Sequence, residues 1–391
     1  MTSALIVFLK EVRENLRDRR TVINALITGP LMAPLIFFLL INTVVTRELD
    51  KAEKPLRLPV IGAQYAPNLI AALKQDNVRI EAAPADPERA VREQDDDVVM
   101  RIAPDFGEAW GKGEPAQVEV IYDQSQRDSS SAFERLRGLL DAYGKRGAAL
   151  RLVARGLSPT ILSPVVIAGR DQSTPQSRSG VLFAMLPYFF IIGSLIGGMA
   201  LAIDTTAGER ERQSLEPLLA NPVPRWQILA GKLAATTAFA IATVLLSILA
   251  FAAVGHLMPT ERIGMKLDIS PGFVARVMVV MLPLAALLAT LQTLVAAFSR
   301  SFREAQTYVS LLMIVPIIPA LLLSVLPFKV QFWMYAVPLM GQQIVITRLM
   351  RGDTMPGTAL IACVACTALA AAVASAITAR IYGSERLAIS A

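Results

Sequence analysis

The sequence predicts a polytopic α-helical membrane protein, with six transmembrane helices and an α/β extracytoplasmic domain between the first and second. Three observations lead there. The chain is 54% hydrophobic and only 18% charged, with a mean hydropathy of +0.49, too apolar for a soluble domain and too polar for spans alone. Apolar runs long enough to cross a bilayer begin at Val22 and recur from Val181 onward. Between them lies a polar stretch, with 19 basic and 20 acidic residues from Arg47 to Arg178. The other 19 basic and 12 acidic residues flank the apolar runs. Charge placed that way orients a membrane protein and forms no phosphate-binding patch, so nucleic acid is not expected as a partner.

Residues 1–21 predict a cytoplasmic amphipathic interfacial helix. Leu5, Phe8, Leu9, Val12 and Leu16 fall on one face, while Lys10, Arg13, Glu14, Arg17, Arg19 and Arg20 occupy the rest. Such a helix lies against membrane lipids with its basic side toward anionic headgroups. Residues 22–45 form the first transmembrane helix, ~36 Å long at 1.5 Å per residue. Its apolar core is too long for a secretory signal, so it reads as a retained anchor that Pro30 and Pro34 bend.

Residues 46–178 alternate short β-rich and helical segments. Strands are expected at Leu58–Ala63, Val78–Ala82, Val98–Ala103 and Val118–Tyr122. Helices are expected at Pro67–Lys74, Pro87–Glu93, Pro104–Trp110 and Ser129–Arg155. That order means an α/β domain. It carries no recognisable phosphate loop, catalytic pair or metal cluster, and Asp95, Asp96 and Asp97 read as a solvated turn.

Residues 179–391 hold transmembrane helices 2–6, expected at Val181–Ile203, Leu233–Val254, Phe273–Phe298, Tyr308–Leu326 and Thr358–Ile381. Gly193, Gly197 and Gly198 permit close helix contact in the second. Pro316 and Pro319 break the fifth. Residues 328–352 suit an outer re-entrant segment of helix, break and helix, a seventh span being the alternative. Cys363 and Cys366 read as small packing residues, and His256 as interfacial.

The loop 204–232 stands out. Glu209, Arg210, Glu211 and Arg212 follow one apolar run directly, then Leu215, Leu218 and Leu219 recur at helical spacing beside Glu216. Asn221, Pro222 and Pro224 stop the pattern, and Arg225 and Trp226 lead into the next run. A solvated connector is the plain alternative. The loop's length, its alternating charges and its interfacial tryptophan favour a docking helix. Counting charges sets the orientation: 13 cations fall in segments assigned to the cytoplasm and 6 in the short outer loops. The expected location is therefore the cytoplasmic (inner) membrane, multi-pass, with both termini cytoplasmic.

Polar residues at membrane depth are pathway candidates. By position these are Asn24, Asn42, Asp204, Gln292 and Gln306, with Gln342 and Gln343 in the re-entrant segment. No metal site is expected, and no catalytic residue. One histidine, no HExxH motif and no acidic pair within the spans leave an intramembrane hydrolase without its parts.

Four stretches resemble the permease subunits of type-2 ABC exporters, and most closely the NatB-like sodium-export permease family. They are the basic amphipathic start, LRLPVIGA followed by VVMRIAPDFGEAWGKGEPAQVEVIYDQS, the loop GERERQSLEPLLANPVPRWQILAGK, and YAVPLMGQQIVITRLMRGD. The loop is the most specific. The resemblance implies a dimer with a second permease copy and a NatA-like cytoplasmic ABC ATPase subunit. It implies that Glu209–Leu219 is the coupling helix that fits a groove on that ATPase. No nucleotide-binding signature occurs in the chain, so ATP and Mg would sit on the partner, with no cofactor bound here. Sodium efflux is the cargo the resemblance implies. Export of drugs, lipids or peptides is the alternative, as is a membrane-anchored binding or assembly scaffold.

Overall fold

The computed structural model describes residues 2–162, 165, 168–174, 176–177, 183–214, 217, 222–257, 269–325 and 329–383. Two compact units emerge, Thr46–Asp171 and the remainder of the chain.

In the first unit, β1 (Leu56–Ile61), α3 (Pro67–Gln75), β2 (Val78–Ala82), α4 (Pro87–Arg92), β3 (Val98–Ile102), α5 (Phe106–Lys112), β4 (Val118–Tyr122) and α6 (Arg127–Ala154) follow in order. The sheet runs β2-β1-β3-β4, parallel except for β4, which pairs antiparallel with β3 from Val98↔Tyr122 to Ile102↔Val118. Alternation of apolar side chains with crossover helices leaves no simpler arrangement. Leu58, Val98, Met100 and Leu136 are fully enclosed between sheet and helices. Asp86 accepts the Arg89 amide at 3.0 Å, which starts α4 at its proline.

The second unit begins with α1 (Ser3–Arg17), a helical turn at Arg19–Val22 and a π-helical turn at Ile23–Thr28, which leads into α2 (Gly29–Glu53). After the α/β unit come α7 (Leu186–Ile203), α8 (Arg225–Leu257) and α9 (Pro271–Phe298). Next are the broken pair α10 (Phe302–Leu311) and α11 (Ile317–Val325), then α12 (Phe332–Ala336), α13 (Met340–Arg351) and α14 (Gly357–Gly383). Among the described residues, six helical stretches are long and apolar enough to cross a membrane: 23–43, 186–211, 225–257, 271–298, 302–323 and 357–382.

Among the span boundaries that depart from the sequence pattern are those of the third and fifth. The third span is helical from Arg225, not Leu233, so Trp226–Lys232 belongs to it. The fifth begins at Phe302, because Ser301 accepts the Glu304 amide and Glu304 in turn accepts that of Arg300 at 2.7 Å.

α7 is the most enclosed span. Gly197 lets it cross α8 so closely that an added Cβ would stand 2.6 Å from the Thr243 Cβ and 3.1 Å from the Ala240 Cα. Thr243 also donates to the Ala25 carbonyl at 2.9 Å, supplying a partner to the π-helical turn of the first span. Phe37, Phe183, Phe189, Phe190 and Phe251 interlock to join spans one, two and three.

Candidate functional site

The charged stretch after α7 is built by the helix itself. The second span does not stop at Ile203. It passes through a π-helical turn, Asp204–Gly208, and a last helical turn, Glu209–Glu211. The helix ends before Gln213, whose φ of +56° no helix continues through. A single helix over Glu209–Leu219 is therefore corrected: its charged start is the end of the second span. Leu215, Glu216, Leu218 and Leu219 lie outside the described residues.

Successive positions on a helix point about 100° apart, and each of these side chains meets a different element. Glu209 pairs with Lys232 of α8. Arg210 donates to the Ala297 and Ser299 carbonyls at 3.5 and 3.4 Å, at the C-terminal end of α9 where a cation is favoured. Glu211 accepts the Phe302 amide at 2.7 Å, at the N-terminus of α10. Arg212 turns back to Asp204 at 2.8 Å. Asp204, expected as a pathway residue, is thus an anchor for Arg212.

The centre of this joint is a buried charge cluster. Lys232 is 1% exposed, Glu11 of α1 2% and Glu209 6%. The Lys232 ammonium donates to Glu209 and to the Thr205 carbonyl at 2.7 Å, and stands 4.0 Å from Glu11. Lys10 closes the group from its half-exposed position, 3.2 Å from Glu11 and 3.7 Å from Glu209. Two carboxylates and two ammoniums balance, which is the condition for burying charge at all. Burial pushes the Glu11 carboxyl up, while Lys232 and Lys10 pull it back.

α1 docks here through a face that its apolar spacing did not mark. Glu11 and Asn15 are buried, together with the half-buried Val7, Phe8 and Val12, while Leu5, Leu9 and Leu16 are exposed. The reason is Gly231. A Cβ there would come within 2.6 Å of the Ala4 carbonyl and 2.7 Å of the Val7 Cβ, so only glycine admits α1 this near to α8. Sequence reasoning missed Glu11, Lys10 and Lys232 as a site. The readable signal was a lysine at the head of an apolar helix, which demands a counter-charge.

The pathway candidates are not brought together. Asn24 and Gln306 are exposed, and Asn42 is half-buried. Gln342 accepts the Leu339 amide at 2.7 Å and donates to Thr367 at 2.8 Å, fixing the break between α12 and α13 to α14. Gln343 donates to the Pro316 carbonyl at 3.2 Å, at the break in the fifth span. These two hold broken backbone, as membrane-depth interruptions require. Gln292 differs. Its Nε2 donates to the Leu195 carbonyl at 2.7 Å, which fixes the amide so that Oε1 faces Gly198. Gln292 Oε1, Ser194 Oγ and Thr293 Oγ1 are buried with no hydrogen-bond partner among the described residues. Arg225, the last of the expected coupling residues, is half-buried at the first turn of α8.

Comparison with known proteins identifies the family. The profile of the family described as "ABC-2 family transporter protein" matches residues 26–379. The ABC transporter permease protein NatB of Bacillus subtilis (strain 168) is 25% identical over 361 residues, covering 90% of this chain and 91% of that protein. No solved structure matches.

Proposed function

The chain belongs to the ABC-2 family of transporter proteins, and on that premise we propose that it is the membrane half of an ATP-driven exporter. As an ABC-2 permease subunit related to NatB, it spans the membrane. ATP hydrolysis, with its magnesium, is assigned to a separate NatA-like cytoplasmic subunit. A second permease copy completes the transporter. Both termini lie in the cytoplasm, and the α/β unit lies on the opposite side of the inner membrane.

The observation that carries the reading is the joint at the end of the second span. Four consecutive side chains link that end to α8, α9, α10 and its own π-helical turn, and the Lys232 cluster adds α1. A push on residues 212–224 is then delivered to several helices together, since a packed joint transmits displacement instead of absorbing it. Glu209 and Arg210 serve inside the joint. Contact with the ATPase falls to the exposed Arg212 and Glu211, to Arg225, and to Leu215, Glu216, Leu218 and Leu219. Exposed charges at such an interface set specificity, and apolar anchors set strength. Arg212→Glu is expected to cut ATPase co-purification at least tenfold, with the permease still folded. Arg210→Glu adds a loss of thermal stability, because it breaks the contacts to α9. Co-purification unchanged by Arg212→Glu removes the docking assignment.

Sodium is the cargo this reading favours. A dehydrated alkali cation takes oxygen ligands in place of its water shell, and Gln292, Ser194 and Thr293 offer, at membrane depth, oxygens with no partner among the described residues. In proteoliposomes holding permease and ATPase, ATP hydrolysis should rise with Na⁺ and not with K⁺. Gln292→Ala should raise the half-saturating Na⁺ concentration about tenfold, the equivalent of ~1.4 kcal/mol. Stimulation by drugs, lipids or peptides instead assigns the cargo to those classes, and no associated ATPase at all points to a scaffold.

A further inference from the structure

The α/β unit carries an apolar surface of its own. The first half of α6 has mixed charges and buries Ala132 and Leu136 under the sheet. Tyr143 then stacks on Trp110 at 5.1 Å, and the Arg151 guanidinium lies over the same ring at 4.5 Å. Those contacts fix one face of the helix. The neighbouring face carries Leu150 and Val153, 72% and 59% exposed. Gly156, at φ +72°, ends the helix, with the Leu157 amide returned to the Leu152 carbonyl at 2.9 Å. A short 3₁₀ turn, Pro159–Leu162, follows. Leu157, Ile161 and Leu162 are exposed along it. Single exposed apolar side chains are ordinary, but a run of five on ordered backbone marks an interaction surface.

Charge identifies the partner. From residue 142 to residue 170 the chain has five cations and no acid, whereas the unit as a whole is close to neutral. Lys145 and Arg146, about one turn before Leu150, and Arg155, between Val153 and Leu157 in the chain, are exposed. Apolar side chains rimmed by arginine and lysine, in a chain already anchored in a bilayer, match the boundary between acyl chains and acidic headgroups. We propose that residues 145–162 form a peripheral membrane-binding surface for anionic phospholipid, with Leu150, Val153 and Leu157 in the acyl boundary and Lys145, Arg146 and Arg155 on phosphate. The assignment is independent of which cargo is exported and of which leaflet is engaged.

The test uses the full chain in nanodiscs. Nitroxide labels are placed at Val153→Cys or Leu157→Cys in a Cys363→Ala, Cys366→Ala background, with Glu134→Cys as the solvent control. Collision with oxygen reports lipid, and collision with a water-soluble nickel chelate reports solvent. In discs with one-third phosphatidylglycerol, the oxygen-to-nickel ratio at 153 and 157 should exceed that at 134 at least threefold. Adding Lys145→Glu with Arg155→Glu should reduce that excess by half or more. Ratios at 153 and 157 equal to the control overturn the proposal. So does low collision with both agents accompanied by spin–spin broadening, which assigns the surface to a second copy of this chain. If the cysteine-free background does not fold, hydrogen exchange of the unmodified chain replaces it. Amides 155–162 should then exchange at least threefold more slowly in anionic discs than in phosphatidylcholine discs, and equal rates overturn the proposal.

Discussion

Lys232→Met is expected to unlock the joint at the end of the second span. The substitution fills much the same volume, so packing is kept and only the charge is lost. Glu11 and Glu209 then face each other in a buried site, with the half-exposed Lys10 as their remaining cation in the cluster. Leaving a buried charge without its partner costs about 3–5 kcal/mol. For a unit of this size that corresponds to a fall in melting temperature on the order of 10 °C. α1 should become cleavable by trypsin at Lys10 and Arg13, since its buried face depends on the same cluster. The charge argument has its own control. Combining Lys232→Met with Glu11→Gln and Glu209→Gln removes every buried charge together, and stability should return by half or more. Coupling between ATP hydrolysis and export should stay low in the triple variant, because the joint has lost its directional contacts. A single Lys232→Met variant as stable as the parent would show that the cluster is held by solvent, not by the lysine.

The second large effect is expected at Gly197. Any side chain there meets Thr243 and the Ala240 backbone, and backbone cannot turn aside as a rotamer can. Gly197→Leu should separate the second and third spans, at about 3 kcal/mol or more for overpacking. The separation also withdraws Thr243 from the Ala25 carbonyl, so the first span is affected through the same contact. Gly193 supplies the comparison one turn away. A Cβ there lies 3.3 Å from the Ser247 Oγ, a side-chain atom able to shift. Gly193→Ala should therefore cost under ~1 kcal/mol. Melting of the two variants in the same detergent separates the cases. Equal melting would mean that the spans are not packed as closely as their glycines allow.

Several elements were legible in the order of residues. Val98–Ala103 and Val118–Tyr122 read as strands because β-branched and apolar residues crowd short segments between turn formers, and strands form at Val98–Ile102 and Val118–Tyr122. The six apolar stretches were legible from length alone, and Pro316 marked the break in the fifth. The position of the charged cluster after the second span was equally plain. Its partners were not. Glu209 and Lys232 are 23 residues apart, and Glu11 belongs to a helix that an intervening domain separates from both. Periodicity marked Leu5, Leu9 and Leu16 as a lipid-facing side of α1, and those side chains are exposed, but it did not mark the docked face that buries Glu11 and Asn15. In a membrane protein the outward face is apolar too, so hydrophobic spacing marks lipid as readily as core.

The amino-acid sequence by itself determined which stretches enter the membrane, where the α/β unit is inserted, and where charge collects. Those are properties of composition and period, summed over neighbours along the chain. Only the tertiary structure decided that Glu11, Glu209 and Lys232 meet, that Gln342 and Gln343 mend broken helices, and that one oxygen of Gln292 has no partner among the described residues. The physical reason is that a buried polar group is settled by what lies opposite it. What lies opposite is fixed by helix contacts, and here those are permitted by single glycines such as Gly197 and Gly231.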